Sequence, residues 1–426
     1  MLLNFRTANH RSIRDEQQLQ LHPAFEADRP EGTDWQAVPV VGIFGANAAG
    51  KSNIVDALEY MAFMVVNSHR DAEPDGGVPR RPFRLDESAL SDPSWYVVDL
   101  LLDDIRYTYG FSVDDERVVN EWLYSYPLGK KRKIFERSDG DFEPGDSQEK
   151  RELRLVESIT EPNVLFMSLA ARSKQSDFQP VYQWFQKGLN FRRLKSPTDV
   201  LEMNRFFETP KRYPELVELL RAADLGIEEW GVEEIQTTAP RRPHGPIHKE
   251  GRQFEKVTRP WIGQRGRDGV VRMSLQDQSA GTRALLEQLP RFLAVLRHGG
   301  TLVVDEIDSS LHPRLTAQLI RMFQDPETNK HGAQLIFTSH DASLLGKDSG
   351  EDILKRDQVW FVEKNQYGES EIFALAEFKP RRNENRERRY LGGSYGGVPF
   401  IDSSFTRALL QGEGTADGAG AEAERP

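Results

Sequence analysis

The stretch GANAAGKS, residues 45–52, decides the fold expected for this chain of 426 residues. It matches the pattern G-x-x-x-x-G-K-[S/T], in which glycines let backbone N–H groups close around phosphate oxygens. The apolar residues 38–44 before it predict a buried strand, and the sequence NIVDALEYMAFMVV after it has helical spacing. Strand, loop and helix in this order predict a nucleotide phosphate site, because the start of a helix adds partial positive charge. An accidental lysine in a glycine-rich turn is the alternative, which the complete context disfavours.

Two side chains at the end of this loop carry specific chemistry. Lys51 is expected to reach the β- and γ-phosphates of a bound nucleotide. The hydroxyl of Ser52 is expected to bind Mg²⁺. The loop therefore predicts a nucleoside triphosphate together with magnesium.

Composition limits the classes of protein to which the chain can belong. Hydrophobic residues make up 38% and charged residues 29%, as in soluble globular proteins, and no apolar stretch is long enough to span a membrane. Asn4 and Arg6 interrupt the apolar residues at the N-terminus, so no secretory signal is expected, and the cytoplasm is the expected location. The lack of cysteine excludes disulfides, thiolate metal sites and cysteine nucleophiles.

The charge pattern bears on nucleic-acid binding. A net charge of −11 disfavours a protein that coats nucleic acid, but it is compatible with a local basic groove. Candidate basic segments are residues 130–133, 241–242 and 381–389, although such runs more often form solvated surface. His244 and His248 have the spacing of a helical metal pair, which the prolines around them disfavour.

Patterning along the chain divides it into four segments. Residues 1–146 are expected to form an N-terminal lobe in which the phosphate loop is followed by an antiparallel β meander. Residues 147–269 are expected to form an inserted, mainly helical subdomain with a Pro/Arg-rich loop. Apolar residues recur at helical intervals in the runs 163–173, 181–191, 200–208 and 214–225. Residues 270–405 return to strands and helices, and the runs 357–365 and 370–378 within them predict a hairpin that closes the core. Residues 406–426 have a disordered composition. The predicted fold class is α/β.

An acidic pair follows the apolar strand predicted at residues 301–304. The carboxyl ends of parallel strands meet at one edge of a sheet, so Asp305 and Glu306 are expected beside the phosphate loop. Asp305 would hold Mg²⁺ directly or through water, and Glu306 would polarise the water that attacks the γ-phosphate. Acidic residues also cap helices, so the pair indicates a nucleotide site only in combination with the phosphate loop upstream.

Two further segments supply polar groups. A second buried strand, residues 334–338, ends just before His340, and its place on the same edge favours a γ-phosphate sensor over a structural histidine. Ser279 and Gly281 stand at the start of an amphipathic helix, where a serine and exposed N–H groups form an anion site. An ordinary serine N-cap explains this segment equally well, and the sequence does not decide between the two.

The order of these motifs resembles the ABC-type ATPases of the SMC/RecF/OLD branch. The resemblance rests on three patterns: F-x-x-x-N-x-x-S-I from Phe5, N-x-A-G-K-S-N from Asn47, and D-E-I-D-x-x-L-H-P from Asp305. The layout of roughly residues 1–405, including YLGGSYGGVPFI near the end, is similar to compact ATP-binding proteins of bacterial abortive-infection and phage-defence operons (AbiL/RloA type, related to the PARIS ATPase).

This resemblance implies an ABC/SMC-head-like P-loop NTPase with an antiparallel β lobe and an inserted helical subdomain, with ATP and Mg²⁺ as its cofactors. It implies a catalytic carboxylate at Glu306, a switch histidine at His340, and magnesium ligands at Ser52 and Asp305. The nucleotide contacts it implies are Gly45, Asn47, Gly50, Lys51, Ser52, Asn53, Ser279, Gly281 and Asp308, with Lys51 also taking part in catalysis. The chain departs from transporter ATPases in having SAGT instead of LSGGQ, and no Q-loop glutamine or adenine-stacking residue is identified.

Function is expected from the same resemblance. Ser279 and Gly281 would complete the site of a second subunit, so the chain is expected to form an ATP-dependent homodimer or a higher even oligomer. The sequence after His340 is too short for the nuclease domain of related OLD proteins, so the toxic chemistry is expected in a separate effector, nuclease-like or Toprim-like. A nucleic acid or a phage protein would be the trigger.

A DNA-repair or chromosome-maintenance ATPase that clamps DNA is the alternative function. The lack of a long coiled coil and of a cysteine hook, together with the acidic balance, weighs against it. The helical region is expected either to contact a partner or only to stabilise the ATPase lobe, and the sequence does not separate these roles.

Overall fold

A computed structural model describes residues 1–25, 35–74, 76–145, 150–173, 176–192, 220–221, 226–238, 254–381 and 384–398. Its main helices are α1 (Lys51–Asp71), α2 (Glu87–Ser91), α3 (Lys150–Glu157), α4 (Phe166–Ala170), α5 (Gln179–Gln183), α6 (Ala280–His298), α7 (Pro313–Gln324) and α8 (Arg386–Leu391). Its strands are β1 (Leu2–Ala8), β2 (Gln17–Gln20), β3 (Val40–Gly45), β4 (Ser94–Leu102), β5 (Ile105–Val113), β6 (Val118–Tyr126), β7 (Arg132–Ser138), β8 (Asp141–Pro144), β9 (Leu189–Arg192), β10 (Ile227–Thr238), β11 (Phe254–Gly266), β12 (Gly269–Ser274), β13 (Thr301–Val304), β14 (Gln334–Thr338), β15 (Lys347–Asp348), β16 (Glu351–Asp352), β17 (Val359–Lys364) and β18 (Ser370–Ala374).

A six-stranded sheet in the order β18-β17-β3-β14-β13-β9 forms the centre of the molecule. Neighbouring strands from β17 to β9 run parallel, and β18 closes the edge as the antiparallel half of a hairpin. All residues of β3, β13 and β14 are buried, as expected for strands covered on both faces. The predicted strands at 301–304 and 334–338 and the hairpin of β17 and β18 are confirmed.

The central sheet separates two hydrophobic cores. Along β3, Val41 and Ile43 belong to one core, whereas Val40 and Phe44 belong to the other. Successive side chains of a strand point to opposite faces, so this alternation follows from the pleat. The core that contains Val41 and Ile43 also includes side chains of α1 and of the antiparallel strands β1 and β4 to β7. The core that contains Val40 and Phe44 includes side chains of α6 and α7. The α/β fold class is confirmed.

A seven-stranded antiparallel sheet in the order β2-β1-β4-β5-β6-β7-β8 forms the outer layer. β4 to β8 are consecutive and pair with their neighbours in sequence, which confirms the predicted β meander. Asp103, Asp104 and Asp139 adopt positive φ at its turns, a conformation that aspartate tolerates better than most residues. This antiparallel lobe covers α1, the helix that follows the phosphate loop.

The segment predicted to be mainly helical, residues 147–269, is only partly so. α3, α4 and α5 lie in its described N-terminal part, and their buried side chains belong to the same core as α1. The run 181–191, expected to be helical, ends instead in β9, which pairs with β13 at the edge of the central sheet. Local apolar spacing did not reveal this strand, because its partner lies more than a hundred residues further along the chain.

Residues from 227 onward also form strands where the sequence predicts a mainly helical subdomain. β10, β11 and β12 form a three-stranded antiparallel sheet, and most of the final strand is exposed. Of the two helices predicted at residues 200–208 and 214–225, the structure describes only residues 220–221, which are helical. The basic pair at 241–242, His244, His248 and the tail at 406–426 lie outside the described residues. The four domain boundaries stay predictions. None of the described helices is long and apolar enough to cross a membrane.

Candidate nucleotide-binding site

The phosphate loop connects the carboxyl end of β3 to the first turn of α1. Gly50 caps the helix with a left-handed φ of 114°, a conformation open to glycine. Gly45 is needed for space, because a Cβ atom there would lie 2.4 Å from the backbone oxygen of Val362. The two glycines thus permit the strand-to-helix turn that the sequence predicts.

Lys51 is held in place within this loop. Its Nζ donates to the backbone oxygens of Gly45 at 2.8 Å and Ala46 at 2.9 Å, and the residue is 5% exposed. Burial lowers the pKa of Lys51, while the charges of Glu306, Asp305 and Asp308 act in the opposite direction. The loop therefore fixes the position of the ammonium group.

The predicted acidic pair reaches the loop as expected. The hydroxyl of Ser52 donates to Asp305 Oδ1 at 3.0 Å. The hydroxyl of Thr338, the last residue of β14, donates to the same oxygen at 2.6 Å. The backbone N–H of Glu306 in turn donates to Thr338 Oγ1 at 2.7 Å. One threonine thus ties both acidic residues to the neighbouring strand.

His340 lies between the lysine and the second acid. Its Nδ1 is 3.1 Å from Lys51 Nζ, and its Nε2 is 3.6 Å from Glu306 Oε1. The side chains of His340 and Glu306 are 38% and 41% exposed, so both are open to a ligand. Glu306 adopts a left-handed φ of 55°, unusual for a residue with a side chain. The arrangement brings a cation, an imidazole and a carboxylate to one edge of the sheet.

Asp308 also joins this edge. The backbone N–H of His340 donates to its Oδ2 at a long 3.4 Å. Its Oδ1 is buried and has no hydrogen-bond partner among the described residues. An acceptor left in this state fits a residue that pairs with a further group.

Ser279 and Gly281 occupy the start of α6, as predicted. Ser279 is the N-cap, and its Oγ accepts from the N–H of Thr282 at 3.1 Å. A Cβ at Gly281 would lie 2.9 Å from the backbone oxygen of Ser310, in the loop that follows β13. The contacts described here join neither residue to the phosphate loop of its own chain. An N-cap role is thus observed, and a role at a second subunit stays a prediction.

The two asparagines of the loop differ. Asn53 donates through Nδ2 to Ser12 Oγ at 2.5 Å, which connects the first turn of α1 to the turn between β1 and β2. Asn47 is exposed at the tip of the loop, and no hydrogen bond of its side chain is described. The structure thus gives Asn53 a partner within the chain. The contact of Asn47 with a nucleotide stays a prediction.

The residues present fit a magnesium-bound nucleotide. Ser52 and Asp305 offer a hydroxyl and a carboxylate oxygen, which are ligands that Mg²⁺ accepts. The described residues contain no group of three or more His, Cys, Asp or Glu that could hold a metal. Magnesium held by Ser52 and Asp305 would take its remaining ligands from phosphates and water.

Two contributors to the site, Thr338 and Ser370, were missed in the sequence, whereas Ser12 belongs to the F-x-x-x-N-x-x-S-I pattern that begins at Phe5. Thr338 orders the acidic pair, while Ser12 and Ser370 contact the phosphate loop from the other side. A threonine at the end of a buried strand was the available signal for Thr338. No local signal marks Ser370, because its role depends on where the hairpin of β17 and β18 lies.

The chain matches one family model and is similar to several solved structures. A family model described as "AAA domain, putative AbiEii toxin, Type IV TA system" matches residues 40–346. Among solved structures, the SMC head domain from Thermotoga maritima is similar at 15% sequence identity and a TM-score of 0.41, covering 88% of this chain and 98% of that chain. No curated protein matches the chain in a sequence search.

The assignment to a family rests on the family model, which spans most of the chain, and not on the structural likeness. The matched range contains the phosphate loop, the acidic pair and His340. It ends before the hairpin of β17 and β18. The resemblance to P-loop ATPases related to abortive-infection proteins is thereby confirmed: the chain belongs to the AAA-domain family that this model describes.

Proposed function

We propose that this protein binds and hydrolyses ATP with Mg²⁺, and that it serves as the regulatory ATPase of a bacterial anti-phage system of the abortive-infection type. The observation that carries the proposal is the convergence of Lys51, Ser52, Asp305, Glu306 and His340 on one edge of a parallel sheet. This is the set of groups that phosphoryl transfer to water requires.

The side chains divide the work of hydrolysis. Lys51 and the N–H groups of the loop bind and orient the phosphates. Glu306 orients a water and accepts its proton, and His340 contacts the γ-phosphate as charge moves onto it. Magnesium, when held by Ser52 and Asp305, supplies neutralisation of phosphate charge.

The position of α6 supports a proposal of ATP-dependent dimerisation. Ser279 is exposed, and the N-terminus of this 19-residue helix presents N–H groups suited to an anion. We infer that it contacts the nucleotide held by a second copy of the chain, so that each γ-phosphate joins two subunits. Hydrolysis then releases the dimer, which changes the state of a separate effector.

The substitution Glu306→Gln tests the proposed chemistry. Turnover should fall by about 100-fold or more, the usual contribution of a general base. Binding of ATP should persist, and sedimentation in ATP and Mg²⁺ should show a long-lived dimer. Glu327→Gln, at an exposed position on another face, is the matched control and should behave as the parent protein. Parental turnover in Glu306→Gln would remove the catalytic assignment.

Co-expression with the neighbouring open reading frame tests the biological role. The effector should co-purify with the ATPase in a manner that depends on ATP, and loss of Lys51 should abolish this dependence. Affinity of the purified dimer for duplex DNA, falling steeply with salt, would support the DNA-clamping alternative instead.

A further inference from the structure

A directional chain of hydrogen bonds lies against the phosphate loop. Asn53 Nδ2 donates to Ser12 Oγ at 2.5 Å, and Ser12 Oγ lies 2.7 Å from Ser370 Oγ. The hydroxyl of Ser370 donates to the backbone oxygen of Ala49 at 2.6 Å. Because that hydroxyl has one hydrogen, Ser12 must be the donor to Ser370. Each group thus donates to the next, from Asn53 back to Ala49.

This chain closes around the residues that bind phosphate. Ala49 and Asn53 flank the Gly50-Lys51-Ser52 segment, so the two serines connect both of its ends. The serines are themselves held together, because the N–H of Ser370 donates to the backbone oxygen of Ser12 at 2.7 Å. Two segments that are remote in sequence therefore meet at one point of the loop.

Gly50 shows how closely the serines approach. A Cβ atom at this position would lie 2.2 Å from Ser370 Oγ and 2.9 Å from Ser12 Oγ. Ser370 is 4% exposed, so its hydroxyl has no ready alternative partner in water. Loss of that hydroxyl would leave the oxygen of Ala49 without its donor and open a gap beside Gly50.

We propose that Ser12 and Ser370 are positioning residues of the phosphate loop, which act on the nucleotide through Asn53 and Ala49. Both lie outside the range matched by the family model, residues 40–346, in the β1–β2 turn and in the hairpin of β17 and β18. The inference rests on the proposed binding of ATP at this loop. It adds that the loop is preorganised by two segments outside the motif, which reduces the cost of ordering it around phosphates.

Calorimetric titration with Mg²⁺ and a non-hydrolysable ATP analogue tests the proposal. Ser370→Ala and Ser12→Ala should each weaken binding by about tenfold, equivalent to about 1.4 kcal/mol. The double variant should lose less than the product of the single effects, because both hydroxyls belong to one chain of hydrogen bonds. Ser12→Thr keeps the hydroxyl at a half-buried position and should restore parental affinity.

Ser112→Ala is the matched control. Ser112 is a buried serine of the outer sheet whose Oγ accepts from Asn120 Nδ2 at 2.9 Å. Its loss removes one hydrogen bond that involves neither the phosphate loop nor Ser12 or Ser370, and it should leave affinity unchanged. Equal weakening in Ser112→Ala and Ser370→Ala would show a general loss of structure and overturn the proposal. If Ser370→Ala does not fold, Ser12→Ala against Ser12→Thr decides the question.

A second control separates this inference from the proposed function. Lys51→Ala should abolish binding of the analogue. Retained binding in Lys51→Ala would contradict the proposed nucleotide site as a whole. Lost binding in Lys51→Ala with parental affinity in both serine variants would overturn only the positioning role.

Discussion

Replacing Thr338 with valine should disconnect the acidic pair from the central sheet. Valine keeps the shape of threonine but has no hydroxyl. The substitution removes the donor to Asp305 Oδ1 at 2.6 Å and the acceptor for the N–H of Glu306 at 2.7 Å. Thr338 is fully buried, so water does not easily replace either bond.

The expected loss follows from these two bonds. A hydrogen bond to a charged carboxylate contributes about 1.5–3 kcal/mol, and a neutral bond about 0.5–1.5 kcal/mol. The free energy of unfolding should therefore fall by roughly 2–4.5 kcal/mol. Glu306 holds a left-handed φ of 55° that this bond supports, so its carboxylate should lose its fixed position. If the displaced carboxylate raises the activation free energy of ATP hydrolysis by about 1.4 kcal/mol, ATP turnover falls about tenfold.

Chemical denaturation and steady-state ATP turnover measure the two effects. Thr316→Val in α7 is the matched control, because the hydroxyl of Thr316 is buried and lacks a hydrogen-bond partner in the described part of the chain. Removing an unpaired buried hydroxyl should leave stability unchanged or raise it. Turnover of this control should equal that of the parent protein.

Two outcomes would refute the reasoning. Thr338→Val could prove as stable as Thr316→Val, which would show that the bonds to the acidic pair carry no energy. It could also lose stability while turnover stays parental, which would show that the orientation of Glu306 does not depend on Thr338.

Two further predictions concern His10 and Gly50. Burial lowers the pKa of His10 below its ordinary 6.5 despite the hydrogen bond to Asp56, so below pH 6.5 the unfolded chain gains a proton that the folded protein resists. The free energy of unfolding should fall as the pH drops through this range, and it should fall less steeply in His10→Gln. An equal slope in His10→Gln, or a changed slope in the exposed control His331→Gln, would contradict this. Gly50→Ala should abolish binding of the ATP analogue through strain and the clash at 2.2 Å with Ser370. Gly129→Ala is the control, because Gly129 also has a positive φ, 73°, but no atom lies within 4 Å of the added Cβ. This variant should cost only backbone strain and leave the affinity for the analogue intact.

Much of the site was open to prediction from sequence alone. Lys51, Asp305, Glu306 and His340 each follow the end of an apolar run, and the carboxyl ends of parallel strands meet at one edge. That these four residues lie close together follows once β3, β13 and β14 are inferred to share one sheet. The role of Ser279 could not be decided in this way, since an N-cap and an anion site use the same residue types.

The fold was predicted well where pattern and pairing are local. The β meander and the hairpin of β17 and β18 join strands that are consecutive in sequence, so turn residues and alternation are enough. β9 escaped prediction because a short apolar segment reads equally as a helix end, and only its pairing with β13 makes it a strand. The sheet of β10, β11 and β12 was likewise missed within a segment expected to be helical.

The amino-acid sequence by itself determined the chemistry at this edge: a loop shaped by glycines, a lysine, a hydroxyl, two acids and a histidine, each at the end of a predictable element. Only the tertiary structure decided what holds them. Thr338, Ser12 and Ser370 act through hydrogen bonds to residues remote in sequence. Such bonds depend on strand order and register, which arise from the burial of the whole chain and leave no trace in a local pattern.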